Sequence, residues 1–382
     1  MIDGSLLVPV QSLLVHIGPH KTGTTALQSA FHAARDFLEA YGVRYAGQDR
    51  QPLRAVSALI GKSQRIGEPP PSMFHWDRLA GEINDATEPR VVMSCESFAD
   101  ADADIPLVLA DTFKSRQMHV AVTLRPLPRI FPSAWQQYVQ NGMTMSYPKW
   151  LTHIFDEPDA PRSQRFWWRH DHGALVARWV DVVGPDNLTV VVADETRKGM
   201  LLRSFEALTG LPDGLLQPEP GLQNRSLSYG EAELHRRLNL AFKENGWSEV
   251  EYAKLIRHGM VANLQRTYTP GPEAPRLVTP RWAVDRAAAA GAASAERISA
   301  LGVRVIGDLG SLGVATAADI ANSETVSPPV SLPMKAVTQA VIGVIIGSRT
   351  DAPIEIMQSH APRGWKRVGR AVKRRVKRFM AG

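Results

Sequence analysis

The segment with the most chemical potential is a short loop near residue 20, which directly follows an apolar run and directly precedes a helix-like repeat. It reads Gly18-Pro19-His20-Lys21-Thr22-Gly23-Thr24-Thr25. A strand-to-helix turn rich in glycine and hydroxyl residues directs free backbone N–H groups and the positive end of the helix dipole toward one point. Lys21 adds a mobile cation. The loop therefore predicts an anion site, and a plain tight turn with a threonine N-cap is the alternative.

The order of residues in this loop differs from the Walker A pattern, in which Gly and four further residues are followed by Gly-Lys-Ser/Thr. Here Lys21 precedes Gly23, and Thr24 follows it. This order argues against an ordinary ATP or GTP loop.

A second candidate anion site follows a later apolar run. Arg125 closes the run 120–124, and Ser133 lies eight residues further on, in a helix-like stretch. A strand-end arginine offers a fork of N–H donors that suits a phosphate, and a hydroxyl from the next helix closes the other side. The alternatives are that Arg125 caps a helix or pairs with an acid such as Asp111, and that Ser133 is an ordinary helix residue.

Together, these two motifs resemble the sulfotransferases that use 3′-phosphoadenosine 5′-phosphosulfate (PAPS). That family has Lys-Ser/Thr-Gly-Thr-Thr at its first strand–helix turn, and an arginine at a later strand end with a serine eight positions on. The resemblance covers about residues 13–245 and is greatest to the bacterial, carbohydrate-type branch. It implies transfer of a sulfuryl group from PAPS to a hydroxyl of a carbohydrate or glycolipid, with no metal required.

The resemblance also implies a role for each matching residue. Lys21 would steady the leaving phosphate, and Arg125 with Ser133 would hold the 3′-phosphate. Arg225 would reach the cofactor from a late loop, although an exposed loop arginine is an equal interpretation. The 5′-phosphate would lie in the cradle formed by Thr22, Gly23, Thr24 and Thr25.

In-line sulfuryl transfer also needs a base for the acceptor hydroxyl. Glu96 follows the apolar run 91–95, at the place where the family carries its catalytic His or Glu. We therefore expect Glu96 to be the base, with His20 as the rival and a helix-capping or charge-balancing glutamate as the alternative. Cys95 is expected to be a buried small residue. His170 and His172 lack a third ligand nearby and make a weak metal motif.

Five of the nine tryptophans fall within 45 residues, which fits a sugar-stacking surface but equally fits a core. They are Trp135, Trp150, Trp167, Trp168 and Trp179.

Apolar runs that alternate with helix-period stretches predict an α/β fold, namely a three-layer, P-loop-like parallel sheet flanked by helices. The helix after the loop is expected to end at Gly42, and an Ala-rich helix is expected at 283–300, with a flexible spacer as its alternative. The expected strands are 13–17, 43–46, 91–94, 120–124 and 188–193, with a further one at 303–307.

Proline clusters suggest where the domain ends. We expect a sulfotransferase domain over 1–321, with its core at 13–268 and with 283–312 packed back onto it. A linker with a short apolar segment would follow at 322–362, and a basic amphipathic helix at 363–382. A non-catalytic nucleotide- or glycan-binding module and an atypical nucleotide kinase remain alternative functions.

The composition also bears on the cellular compartment of the protein. A single cysteine in 382 residues fits a reducing compartment, and neither a signal peptide nor an 18-residue apolar run is evident. We therefore expect a cytoplasmic protein.

Nine basic residues and no acid occupy 363–382, so the net charge of +6 becomes 6 − 9 = −3 for the rest of the chain. The apolar residues of this tail recur at helical spacing, which favours peripheral binding to an anionic membrane. Nucleic acid is the less favoured partner, and a merely solvated end is the third interpretation.

Overall fold

One parallel sheet lies at the centre of the fold. The computed structural model describes residues 6–63, 69–194, 196–197, 199–218, 226–272, 274–315 and 331–349. Within these ranges the sheet has six strands in the order β2-β3-β1-β4-β5-β6, and every neighbouring pair is parallel. The strands are β1 (Ser12–Ile17), β2 (Val43–Tyr45), β3 (Arg90–Ser94), β4 (Gln117–Leu124), β5 (Leu188–Val192) and β6 (Arg304–Ile306).

Helices cover both faces of this sheet and extend beyond it. A π-helical stretch, Ala253–Val261, joins α11 to α12 as one continuous helix. The α-helices are α1 (Thr24–Leu38), α2 (Leu53–Leu59), α3 (Phe74–Asp85), α4 (Asp104–Thr112), α5 (Leu127–Gln140), α6 (Tyr147–Asp156), α7 (Pro161–His170), α8 (His172–Val183), α9 (Met200–Thr209), α10 (Tyr229–Glu244), α11 (Glu249–Tyr252), α12 (Ala262–Thr267), α13 (Arg281–Ala300) and α14 (Met334–Ser348).

Alternation along the central strand β1 divides the core into two layers of side chains. Leu13, Val15 and Ile17 face one side, where they pack with α2, α3, α4 and α8. Leu14 faces the other side, where it packs with α1 and α9. Every β1 residue is buried, as expected for a strand with covered faces. The fold is therefore a three-layer α/β sandwich with a parallel sheet in the middle.

A third apolar cluster lies apart from the sheet, mainly between helices. Most of its residues come from α5, α6, α10, α13, α14 and the π-helical stretch, and α7, α11, α12 and a few loop residues complete it. Trp135 and Trp150 are completely enclosed in it, while Trp179 of α8 is buried against the sheet. The core interpretation is thus confirmed for these three tryptophans, and none of them offers a face to a sugar.

The strand order fixes where the candidate site residues meet. After β1 the chain moves toward β2, whereas after β4 it moves to β5 on the opposite side of β1. Ligands of open α/β sheets bind outside the carboxyl ends of the strands at such a reversal point. The loop after β1 and Arg125 after β4 flank this point.

The expected elements are largely present. The expected strands are confirmed to within one residue at each end, except that β4 begins three residues earlier than expected. The helix that stops before Gly42 and the helix in the Ala-rich segment are confirmed to within one or two residues. Residues 334–348, within the segment expected to be a linker, form α14 and pack on the helical cluster. The basic segment 363–382 lies outside the described residues.

Among the described residues no helix is both long enough and apolar enough to cross a bilayer.

Two glycines in helices test how tightly the domain is packed. A Cβ atom on Gly291 of α13 would lie 2.0 Å from the backbone oxygen of Leu312, whereas a Cβ on Gly81 of α3 meets nothing within 4 Å. We expect Gly291→Ala to lower the free energy of unfolding by about 1–3 kcal/mol through overpacking. Gly81→Ala should raise it by about 0.5–1 kcal/mol through helix propensity. Urea unfolding of both variants measures this difference, and a stabilising Gly291→Ala would contradict it.

Candidate functional site

The loop after β1 adopts a backbone path that few side chains permit. A Cβ on Gly18 would lie 2.3 Å from Oγ1 of Thr123 and 2.5 Å from Cγ2 of Thr24, so this position has no room for a side chain. Lys21 has a φ of 74° and Gly23 one of 97°, both in the left-handed region. For a lysine this costs on the order of 1–3 kcal/mol. Backbone strain of this kind is most often found at functional sites.

A buried chain of hydrogen bonds holds the loop on the sheet. Thr22 Oγ1 donates to the carbonyl oxygen of Pro19 at 2.8 Å and lies 2.9 Å from Thr123 Oγ1. His16 Nε2 lies 3.2 Å from the same Thr123 oxygen, and His16 Nδ1 lies 2.7 Å from Ser94 Oγ. The chain thus connects β3, β1 and β4 to the loop.

The direction of each hydrogen bond in this chain follows from the last one, in which the Thr22 hydroxyl donates to the Pro19 carbonyl oxygen. Because the Thr22 hydroxyl proton goes to Pro19, Thr123 must donate to Thr22 and accept from His16. His16 is therefore protonated at Nε2 and accepts from Ser94 at Nδ1. Burial lowers the pKa of His16 to about 3, partly offset by the charge of Glu96, so the imidazole is neutral. The Thr22 hydroxyl is therefore used inside the protein.

Helix α1 begins at Thr24 with its first amides uncapped by any side chain. Gly23 occupies the N-cap position and has no side chain to accept a hydrogen bond. The Thr24 hydroxyl does not cap the helix and instead donates to Glu96 Oε2 at 3.1 Å. Thr25 and Gly23 are exposed. The helix start therefore offers backbone N–H groups and a dipole end to an external anion.

Glu96 lies directly beside this loop, as predicted. It begins a 3-10 turn, Glu96–Asp100, that follows β3. Its Oε1 lies 3.1 Å from His20 Nδ1, and His20 Nε2 lies 3.7 Å from Asp100 Oδ2. The two candidate bases therefore form one contact pair, with His20 between two carboxylates. Asp100 is in turn held by Lys62 at 2.9 Å and by Nε of the buried Arg169.

The charges around Glu96 determine its protonation. Burial by itself would raise the pKa of Glu96, but the charge and hydrogen bond of His20, the hydrogen bond of Thr24 and the charge of Lys21 outweigh it. They lower that pKa to about 2. Burial lowers the pKa of Lys21, an effect that Glu96 opposes and Arg125 reinforces. Glu96 is a carboxylate in this state of the protein.

Arg125 reaches the loop from the neighbouring strand. Its Nη1 donates to the carbonyl oxygen of Lys21 at 3.2 Å, which brings the two predicted cations to one edge of the sheet. Ser133 lies two turns into α5, and its hydroxyl donates to the carbonyl oxygen of Ile130 at 2.9 Å. Arg225 lies outside the described residues.

Other candidates have structural roles. Cys95 is buried, and burial raises the pKa of its thiol to about 12, which agrees with the expected small core residue. Asp171 caps α8 by accepting from the amide of Ala174. Burial lowers the pKa of His172 to about 4. Within the described ranges no group of three or more His, Cys, Asp or Glu could hold a metal ion.

The two remaining tryptophans differ from the buried three. Trp167 is partly buried and donates from its indole N–H to the carbonyl oxygen of Ile154 at 2.8 Å. Trp168 is 38% exposed, and the guanidinium of Arg178 lies 3.9 Å from its ring centre. One face of Trp168 is thus occupied by a cation.

The sequence did not reveal the supporting residues of the site. His16 lies within an apolar strand, where its spacing resembles that of any core residue. Asp100 and Arg169 are 69 residues apart and meet only through the fold. The one available signal was the placement of charged and imidazole residues within otherwise buried runs, since such groups are rarely enclosed without partners.

Comparison with known proteins is sparse. No family model matches the chain, and no curated protein matches it. One solved structure to which it is similar is a sulfotransferase from Alicyclobacillus acidocaldarius, at 15% sequence identity and a TM-score of 0.38. That similarity covers 63% of this chain and 97% of the other. The function therefore has to be inferred from the site itself.

The neutral state of His16 makes a prediction about pH. Unfolded, this residue titrates near 6.5, whereas folded it stays neutral to about pH 3. The unfolded chain thus binds one more proton across this window, and the stability that His16 contributes above pH 6.5 is lost as the pH falls. We expect His16→Gln to flatten the pH dependence of unfolding free energy between pH 6 and 5 by up to about 1.4 kcal/mol per pH unit.

Ser94→Ala is the matched control, because it breaks the same hydrogen-bond chain without removing a titratable group. It should lower stability by a similar amount at every pH. Urea unfolding at pH 7, 6 and 5 gives both profiles. If the His16→Gln profile runs parallel to that of the unchanged protein, His16 does not titrate as described.

Proposed function

We propose that the protein is a PAPS-dependent sulfotransferase that acts on a hydroxyl of a carbohydrate or glycolipid. One observation carries the proposal: the uncapped start of α1, Lys21 and Arg125 lie together at the reversal point of the sheet, with Glu96 in contact with the loop. Two cations from different strands suit a ligand with two separate phosphate groups better than a single phosphate.

The residues present fit this donor. The backbone of Thr22, Gly23, Thr24 and Thr25 would hold the 5′-phosphate, and Lys21 would neutralise charge on the departing phosphate. Arg125 and Ser133 would hold the 3′-phosphate, with Arg225 as a further proposed contact. When bound, PAPS would supply a sulfuryl group on a good leaving group, and no metal is needed for this chemistry.

Glu96 is the proposed base, and its surroundings explain how it would become effective. A pKa of about 2 makes a weak base at neutral pH. That value depends on the charges of His20 and Lys21. An anion beside Lys21 would offset its charge and let the pKa of Glu96 rise. The carboxylate would then take the acceptor hydroxyl proton, and His20 would position it.

The acceptor and the cellular setting belong to the same proposal. Trp168, which is 38% exposed, is the most exposed of the five tryptophans considered for sugar stacking and is the proposed sugar contact. The single, buried cysteine is consistent with work in the cytoplasm.

Calorimetry with 3′,5′-adenosine bisphosphate and with ATP tests the donor. We expect tight binding of the bisphosphate alone. Arg125→Ala should weaken it roughly ten- to hundredfold, since hydrogen bonds between charged groups are worth about 1.5–3 kcal/mol. Arg78→Ala, which removes an exposed arginine from α3, is the control and should change nothing.

Preference for ATP would favour an atypical nucleotide kinase and end the sulfotransferase proposal. Binding of the bisphosphate without turnover of PAPS on any hydroxyl acceptor would instead favour a binding module. Arg125→Ala should also lose discrimination between PAPS and adenosine 5′-phosphosulfate if Arg125 contacts the 3′-phosphate.

Glu96→Gln tests the base. The change keeps the shape of the side chain and removes the proton acceptor, so turnover should fall by about 10²-fold or more while affinity for the bisphosphate stays within a few fold. Single-turnover kinetics and calorimetry measure the two quantities. His20→Gln is the comparison variant. A large loss in His20→Gln together with normal turnover in Glu96→Gln would assign the base to His20.

A further inference from the structure

Helix α14 buries its small residues and exposes its large aliphatic ones, the reverse of an ordinary surface helix. The side that faces the protein consists of small residues: Ala336, Ala340, Gly343 and Gly347 are buried. At 100° per residue these four fall on one side of the helix, and the large aliphatic residues fall on the other. The side chains that usually drive a helix onto a core here point away from it.

Close backbone contact fixes this orientation. A Cβ on Gly343 would lie 2.6 Å from the carbonyl oxygen of Gly259, and one on Gly347 would lie 2.5 Å from that of Lys254. Asn263 also donates from Nδ2 to the carbonyl oxygen of Gln339 at 2.8 Å. The helix cannot rotate to bury its aliphatic face without losing these contacts.

The exposed face of α14 is a continuous aliphatic surface. Of the 17 exposed large hydrophobic residues in the described ranges, six belong to this one helix. They are Met334, Val337, Val341, Ile342, Ile345 and Ile346, with exposures of 79%, 37%, 53%, 38%, 47% and 44%. Scattered apolar residues are normal on a protein surface, but a contiguous set indicates a binding surface. We call these six residues the α14 face.

Two further exposed apolar residues, Val250 and Trp247, lie in or just before α11, which leads to the stretch that contacts the C-terminal end of α14. Val250 is 55% exposed and lies one turn before Lys254, whose carbonyl oxygen is close to Gly347. Trp247, which precedes that helix, is 53% exposed. Tryptophan is favoured at the boundary between lipid and water.

The chain around and after the α14 face is strongly basic: between residues 331 and 382 eleven Lys and Arg residues occur with two acids, Asp351 and Glu355. Lys335 and Arg349 flank the α14 face, and no acid occurs between residues 331 and 349. Thirteen residues later begins the segment 363–382 with its nine basic residues and no acid. Thirteen residues can span up to about 45 Å, so both regions can reach one surface.

We propose that the α14 face is a docking surface for an anionic lipid bilayer. The helix has 15 residues, about 22 Å in length, and would lie in the plane of the interface. Polar side chains on this side of the helix include Thr338, whose hydroxyl donates to the carbonyl oxygen of Met334 at 3.0 Å and is thus used within the helix. A largely aliphatic face without aromatic side chains of its own suits lipid better than a protein partner, whose interfaces are enriched in Tyr, Trp and Arg. The basic residues of 363–382 would add attraction to anionic headgroups.

Sedimentation of the full chain with vesicles of phosphatidylcholine and phosphatidylserine tests the proposal. The variant V341Q/I345Q removes two residues from the centre of the face and leaves charge and helix propensity nearly unchanged. We expect its partition coefficient to fall on the order of tenfold or more, since aliphatic burial is lost. The control is Phe37→Gln, which removes an exposed apolar side chain of α1 elsewhere on the molecule. It should bind like the unchanged protein.

A second variant, K373Q/R374Q/R375Q, separates charge from insertion. It should weaken binding at low salt, and the remaining binding should respond less to salt. If V341Q/I345Q sediments like the unchanged protein, or if the unchanged protein stays in the supernatant at low salt, the proposal is wrong. Loss of a dimer in V341Q/I345Q by light scattering would instead assign the face to a second copy of the chain. A fall in melting temperature for V341Q/I345Q without vesicles would assign it to a segment of the same chain.

Discussion

A neutral, enclosed imidazole holds together the strands on which the site is built. His16 sits at the register position where β1 lies opposite Ser94 of β3, and its other nitrogen reaches Thr123 of β4. Through Thr123 the same chain of hydrogen bonds continues to Thr22 and ends on the carbonyl oxygen of Pro19. The loop cannot shift relative to the three central strands without leaving a buried polar group unpaired, which costs about 1–3 kcal/mol for each group. This constraint also explains Gly18, because a side chain there would occupy the space of the Thr123 hydroxyl.

Much of the fold could be predicted because its signals are local. Strands that are buried on both faces appear in the sequence as apolar runs, and the apolar residues of α1 recur at helical spacing. The long-range parts of the site can be anticipated only as far as topology allows: parallel strands bring their carboxyl ends to one edge, which places Lys21, Glu96 and Arg125 near one another. The contact between Glu96 and His20 was not predictable, since the two residues lie on different connections of the sheet and meet only through the fold. Neither was the use of the Thr22 hydroxyl inside the protein, which depends on a partner 101 residues away.

Helix α14 shows a different limit of sequence reasoning. Its apolar composition was evident, but composition does not tell which side of a helix packs. Here the small residues decide, because Gly343 and Gly347 permit a backbone approach that no larger residue allows. The apolar residues then remain outside, and the usual rule that the hydrophobic stripe faces the core is reversed. The tryptophans illustrate the opposite outcome: Trp135, Trp150 and Trp179 serve the core, as their size alone would favour.

The charges at the edge of the sheet connect binding to chemistry in the proposed function. The carboxylates of Glu96 and Asp100 balance Lys21, Lys62 and Arg169, so the site can keep its cations close together on a partly buried surface. An anionic donor would compete for Lys21 and so release Glu96 from part of the field that lowers its pKa. Glu96 would thus become a better proton acceptor only when the donor is in place, and it would remain an inert carboxylate otherwise. The strained backbone of Lys21 has a place in the same proposal, because it fixes the position of the residue that would interact with Glu96 or with the anionic donor.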